Sequence, residues 1–247
     1  MSALFVSHGS PAVAVEDDAW SRALAAWAAR RPKPRAAVVM SAHWEGPLAA
    51  TASAAPGTIH DFAGFPEALY RLTYPAPGAP ELAKEVARRT GAALDARRGL
   101  DHGAWVPLRK MYPDADVPVT QLSVPLNVDL RALGRALAEL RKDGVLLMGS
   151  GGAVHNLRSL TWGDKDAATA TWAKDFDRWV AERAGDADAL AGWATAPEAA
   201  RAHPTPEHFL PILFAAAAAL PGDRLETIYE GFHYGTLSMR TFARVSA

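Results

Sequence analysis

The sequence predicts an α/β domain with a central, mostly parallel sheet flanked by helices, and three apolar runs carry that prediction. Ala36-Ala37-Val38-Val39-Met40 runs unbroken and stops at Ser41-Ala42-His43-Trp44. Ala3 to Ser7 ends at His8, and Val145 to Met148 leads through Gly149-Ser150-Gly151-Gly152 to His155. Short continuous apolar runs read as strands buried on both faces, the pattern of parallel sheets. Ligands of open α/β sheets bind beyond the carboxyl ends of such strands. Each run therefore delivers an imidazole to the place where chemistry is expected.

A chain of 247 residues suits one domain, taken as 1–247, with a sizeable core. A net charge of −1 with no basic block argues against nucleic acid or an anionic membrane as partner. The absence of cysteine excludes disulfides and thiolate sites. Any metal must then be held by imidazole and carboxylate, donors that suit Fe(II), Zn(II), Mn(II) or Cu(II). No basic segment precedes an apolar core at the N-terminus, and the run Ile212 to Leu220 is too short to span a bilayer. A soluble, cytoplasmic protein is the expectation, with homo-oligomerisation left open.

The elements follow in order. Strand 3–7 breaks at Gly9-Ser10-Pro11, and Asp17 or Asp18 can cap a helix with Trp20, Leu24 and Trp27 on one face. Pro32 and Pro34 end it before the 36–44 strand. Residues 45–79 form a long connection whose Phe62, Phe65, Tyr70 and Tyr74 argue for ordered packing. A helix runs from Pro80-Glu81 to near Gly91, with proline entering and glycine leaving. Gly99 to Trp105 brackets His102 in a turn or helix start, and Val117 to Val124 alternates as a strand. Leu130, Leu133, Leu137 and Leu140 mark a helix closed by Gly144. Beyond His155, Trp172, Phe176, Trp179 and Val180 give another helix, and 184–203 reads as a surface excursion. A helix starting at Thr205-Pro206 runs to Leu220 with Pro211 inside it, leaving the Glu207 carbonyl without its donor. Strands 225–229 and 236–244 close the chain around Gly231 to Gly235.

Taken singly, each histidine has a plain packing role: His43 on Trp44, His8 in a Gly-Ser turn, His155 beside an Asn156 cap. His102 adjoins Asp101, His208 adjoins Glu207, and His203 in the polar excursion is given no function. Jointly, three histidines placed after three buried strands point to a shared metal site. Such a site needs neutral imidazoles whose second nitrogen is held by another group. Asp61, Asp101, Asn156 and Glu207 each adjoin a histidine and are candidates for that.

A wider set of segments then comes together: HGSP at 8–11, SAHW at 41–44, TIHDFAGFPEALY at 58–70, YPAPG at 74–78 and GLDHGAW at 99–105. MYPDADVPVTQLS at 111–123, GSGGAVHNLR at 149–158, PTPEHFLP at 204–211 and YGTLSM at 234–239 complete it. In order and over nearly the full chain, they resemble the class III extradiol ring-cleavage dioxygenases, nearest to the 4,5-DOPA extradiol dioxygenase branch. The resemblance implies a mononuclear site at the carboxyl ends of the strands. His8 and His43 match two iron-holding histidines, and His208 matches a further metal-binding histidine of the branch. Glu207 is its rival, since the wider superfamily uses a glutamate. His155 matches a residue that is a ligand in this branch and an acid/base in others, so both roles stay open. As acid/base His155 comes first and His102 second, and His60 with the aromatics of 62–74 is placed to line the substrate pocket. Implied with them are one divalent metal, Fe(II) for activity with Zn(II) able to fill the purified protein, and a small DOPA-like aromatic diol with O2 as substrates. The product would be a muconic semialdehyde. Rival readings are a tetrapyrrole chelatase, because of the HGS turn, a non-catalytic binding protein, or a Zn hydrolase. His233-Tyr234-Gly235 departs from the family's pattern and is left unassigned.

Overall fold

The computed structural model describes residues 1–246. Its strands are β1 (Ala3–Ser7), β2 (Ala36–Glu45), β3 (Ala49–Thr51), β4 (Ala93–Asp95), β5 (Val119–Val124) and β6 (Val145–Gly151). β7 (Arg224–Tyr229), β8 (Phe232–His233), β9 (Leu237–Ser238) and β10 (Thr241–Val245) follow. Helices are α1 (Ala19–Ala29), α2 (Glu67–Tyr70), α3 (Pro80–Thr90), α4 (His102–Met111) and α5 (Leu130–Leu137). After them come α6 (Thr171–Arg183), α7 (Ala187–Leu190), α8 (Ala199–Ala202) and α9 (Leu210–Ala217).

Eight strands form one sheet in the order β4-β3-β5-β2-β6-β1-β10-β7. Its centre, β5-β2-β6-β1, is parallel throughout, and antiparallel pairing is confined to its flanks. The three runs read as buried strands are thus the adjacent trio β2-β6-β1. Alternation along β2 feeds two cores: Ala36, Val38 and Met40 face α3, α5, α6 and α9, whereas Ala37 and Val39 face α1 and α4. Side chains so buried contribute about 1.5–3 kcal/mol each for a Val or Leu, and a run with no polar face is the result. Asp18 caps α1 by accepting from Ser21 N at 2.7 Å, and Gly91 ends α3 at φ 76°, both as the sequence indicates. Among the described residues no helix is long and apolar enough to cross a membrane.

Two expectations change. The 184–203 segment is packed rather than peripheral: Leu190 and Ala202 are fully buried, and Trp193 stacks on Phe209 at 4.8 Å between ring centroids. Its alanines and one leucine make a small apolar face that reading by polarity overlooks. The helix expected from Thr205 begins only at Leu210. Residues 206–209 form a turn in which Phe209 N and Leu210 N both donate to the Pro206 carbonyl. Pro211 therefore stands in the first helical turn, where its missing N–H is one the helix would not have used.

The glycines of β6 are required by close approach. A Cβ on Gly151 would lie 2.1 Å from the His208 carbonyl oxygen, and one on Gly149 equally close to that of Pro211. The chain at 208–211 can therefore lie directly on β6, with Gly152 N donating to the His208 carbonyl at 2.8 Å. Gly151→Ala is expected to cost about 1–3 kcal/mol from overpacking, read as a lowered urea midpoint, and to displace His208.

Candidate metal centre

Because β1, β6 and β2 are neighbours, their carboxyl ends open onto one place. His8 follows β1 directly, its N–H bonded to the Gly151 carbonyl at 3.1 Å, and Gly9 at φ 68° turns the chain away. In β2 the register with β5 passes from Met40↔Leu122 to Glu45↔Val124, five residues against two. That irregularity carries His43 out of the ladder, a common device beside active sites. Asp101 caps α4, accepting from Ala104 N at 3.2 Å and from the Ser41 hydroxyl at 2.6 Å, so His102 is the first residue of the helix. Gly103 must stay bare, since a Cβ there would meet Ser41 Oγ at 2.4 Å. His208 comes from the turn seated on β6.

The partners of these rings fix their tautomers. Ser150 Oγ donates to the Gly103 carbonyl at 2.5 Å, so toward His8 it accepts, and His8 Nδ1–H is the donor at 3.0 Å. Asp61 accepts from His102 Nδ1 at 2.9 Å on one oxygen and faces His43 Nδ1 at 3.1 Å with the other. Glu207 accepts from His208 Nδ1 at 2.9 Å. Each Nε2 is then an unprotonated lone pair. His43 Nε2 lies 3.0 Å from His8 Nε2 and 3.3 Å from His208 Nε2. Lone pairs aimed at one another repel, and a cation between them removes the conflict. Ligands at about 2.1 Å from one ion stand about 3.0 Å apart at right angles and about 3.4 Å apart in a tetrahedron, so the residues present fit a metal. A ligand atom of His102 also falls within 4.8 Å of those of His8 and His43. These three histidines therefore form a candidate metal-holding group of their own, with the His43 and His102 ring centroids 3.9 Å apart. The pattern of imidazole backed by carboxylate is the usual support of metal-binding histidine.

His155 lies flat on His208, the rings 3.5 Å apart and 3° from parallel. His8, His43, His102, His155 and His208 all line one cavity of about 310 Å³, completed by Phe62, Phe65, Leu160 and Trp162. His60 does not line it. Its Nε2 donates to the Leu72 carbonyl at 2.9 Å, and its ring packs near Phe62, Tyr70 and Trp105.

Electrostatics favour the neutral form of His8, His102, His155 and His208. Burial, then the neighbouring imidazoles, holds His8 and His208 well below the ordinary histidine value. His155 is pushed down to about 3 by burial and by His203 and His43. Burial also leads the lowering at His102, followed by His43, against the opposing pull of Asp61. For Asp61 burial works upward, and the hydrogen bonds from His102 and His43 outweigh it, so the carboxyl is held below the usual range.

Several supports were not legible beforehand. Asp61 adjoins His60 yet serves His43 and His102. Asp101 adjoins His102 yet is directed to the helix cap, Ser41 and Arg98, the last at 3.0 Å. Asn156 caps the turn 157–159, accepting from Arg158 N. Only Glu207 serves its sequence neighbour. His203 is 4% exposed, its Nε2 donating to the Ala153 carbonyl at 3.0 Å and its Nδ1 without a partner. Burial depresses it to about 4, below the unfolded value near 6.5, so stability is intact above pH 6.5 and is lost as pH falls toward 4. At about 1.4 kcal/mol per pH unit, His203 alone accounts for a loss of about 3 kcal/mol. His203→Gln, which keeps a donor, is expected to show a smaller drop in urea midpoint between pH 7 and pH 4.5.

The family described as the catalytic LigB subunit of aromatic ring-opening dioxygenase matches residues 2–243. A protein of Escherichia coli (strain K12) named 4,5-DOPA dioxygenase extradiol is 39% identical over 252 residues, 97% of this chain and 93% of that protein. One of the same name from Portulaca grandiflora is 40% identical over 256 residues, 96% of this chain and 93% of its own length. The crystal structure of an uncharacterized protein from Escherichia coli K12 superposes with a TM-score of 0.85 at 33% identity, over 99% of this chain and 100% of that one. With its sheet, histidine cluster and full-length similarity in agreement, the chain belongs to the LigB family and is an extradiol, aromatic ring-opening dioxygenase.

Proposed function

We propose that the protein opens the ring of a catechol-type, DOPA-like substrate with O2, giving a muconic semialdehyde. One divalent metal, Fe(II) in the active form, would be held by His8, His43 and His208. The observation that carries this is the convergence of three Nε2 lone pairs, each imidazole fixed at Nδ1 by Ser150, Asp61 or Glu207. Three donors leave positions open for a chelating diol and for O2. A bound Fe(II) would acidify a coordinated catechol hydroxyl and allow the ring to react with O2. Zn(II) suits the same donors and would be the resting occupant of protein purified without iron.

The chain's own residues do the remainder. Asp61 orients His43 and His102 together, so one carboxylate fixes a metal-side ring and a cavity-side ring. His155 is the proposed base for the remaining catechol proton and the acid that returns it, with His102 second. Its parallel contact with His208 supports this role, because stacked rings direct their in-plane lone pairs side by side, which leaves His155 free of the donor set that would hold the metal. Phe62, Phe65, Leu160 and Trp162 supply an apolar enclosure for an aromatic ring. His60 is assigned to holding the 60–72 loop through Leu72.

The test is oxygen uptake by protein reconstituted anaerobically with Fe(II), against a panel of catechols, while a yellow product is followed. Uptake with semialdehyde formation is the expected result. No uptake across the panel at full Fe(II) occupancy would overturn the reading.

A further inference from the structure

We infer that the cavity selects a catechol whose ring carries an uncharged, apolar substituent, and that Trp162 is the residue that covers it. The inference rests on the ring-cleaving reading, keeps its catechol, and replaces the DOPA-like substituent with an apolar one. Beyond the histidines and Asp61, the cavity is walled chiefly by Phe62, Phe65, Leu157, Leu160, Trp162 and Leu237. Among the described residues no Lys or Arg lines it. Both oxygens of Asp61 are engaged by His102 and His43. Arg158 is exposed outside the cavity, and Lys165 is turned to Glu16 and Asp18. A charged amino-acid side chain on the ring would lose water inside and meet only Ser10 and neutral rings, with no unengaged ion to pair with. An alkyl or aryl group gives up no hydrogen bonds, and its removal from water is favourable.

Trp162 is 57% exposed and Leu157 50% exposed. A single exposed apolar side chain needs no explanation, but here two stand on one cavity, and the backbone holds the larger in place. Tyr234 accepts from Thr161 N at 2.9 Å and donates to the Lys165 carbonyl at 2.8 Å, bracketing Trp162 on both sides. Gly235 adds a bond from Ala170 N at 3.0 Å. The Tyr234 ring also packs on Trp162 at 5.4 Å. Tyr234 does this at φ 54°, a left-handed conformation that an aromatic residue rarely adopts and that concentrates at ligand-clamping segments. The His233-Tyr234-Gly235 stretch is thereby explained as the clamp of an exposed tryptophan over the cavity.

The test compares 4-propylcatechol with L-DOPA, which share the diol and differ in the substituent. Steady-state kcat/KM is measured on Fe(II)-loaded protein, and affinity by anaerobic calorimetry. The alkylcatechol is expected to be preferred by about tenfold or more, since each buried methylene is worth about fourfold. Trp162→Ala is expected to remove most of that preference and Trp162→Phe to keep most of it. Equal or better use of L-DOPA by the wild type overturns the inference while leaving ring cleavage standing. An unchanged preference in Trp162→Ala overturns the assignment of Trp162. Failure of oxygen uptake with every catechol strikes the ring-cleaving reading itself, and the anaerobic affinities then still decide the selectivity.

Discussion

Replacing His43 with alanine is expected to abolish Fe(II) binding and ring cleavage together in a protein that stays folded. His43 is the ring that faces both partners, with Nε2 at 3.0 Å from His8 and 3.3 Å from His208. Removing it leaves two of the three proposed donors and takes away the ring that neighbours both. Loss of a supporting group typically costs about 10–100-fold in metal affinity, and loss of the donor itself is expected to exceed that. The fold should survive because the side chain is 21% exposed and lies in the unpaired stretch of β2 between Ser41 and Glu45, whereas Ala36 to Met40 make the core contacts. Asp61 keeps His102 as a partner. Metal analysis after dialysis, oxygen uptake and thermal melting measure the three parts separately. An active, fully metallated His43→Ala protein would end the ligand assignment.

What could be read in advance follows from how local each cause is. Burial on both faces leaves its mark within five residues, so β1, β2 and β6 were visible in the sequence. Their adjacency was not, because strand order depends on crossovers that no window contains. His8 and His43 stand at strand ends for the same local reason, whereas the ligand role proposed for each rests on the family resemblance as well. The supporting groups divide instructively. Glu207 serves the neighbouring His208 because both sit in one tight turn. Asp61 serves His43 and His102, 18 and 41 positions away, because the 58–72 loop folds over the sheet end. Ser150 gains its meaning only when β6 lies between β1 and β2, which puts its hydroxyl between His8 and the Gly103 carbonyl. His203 departs from a surface setting for a related cause: the polarity of 184–203 is real, but Trp193 and Phe209 close over the histidine. In each case the missing information is long-range packing.

His155→Ala is expected to keep its metal and to lose turnover by about 10²–10⁴-fold, the range of a removed acid/base. The geometry behind this is the stacking on His208. The two rings lie 3.5 Å apart and 3° from parallel, so the in-plane lone pairs of His155 run alongside those of His208 and not toward the same point. Imidazole donates through a lone pair in its own plane, so His155 is poorly placed to share the same ion. It is well placed to meet a substrate, since it lines the cavity beside His102, Phe62 and Leu160. His102 makes the control. Its Nδ1 is committed to Asp61 at 2.9 Å, so His102→Ala also releases one of the two imidazoles that Asp61 orients. It should therefore lower metal affinity as well as turnover, by an amount in the about 10–100-fold range of a disturbed support. Measuring kcat and Fe(II) content on both variants separates the roles. Metal loss on changing His155 would return it to the ligand set, and full turnover with full metal would remove it from the chemistry altogether.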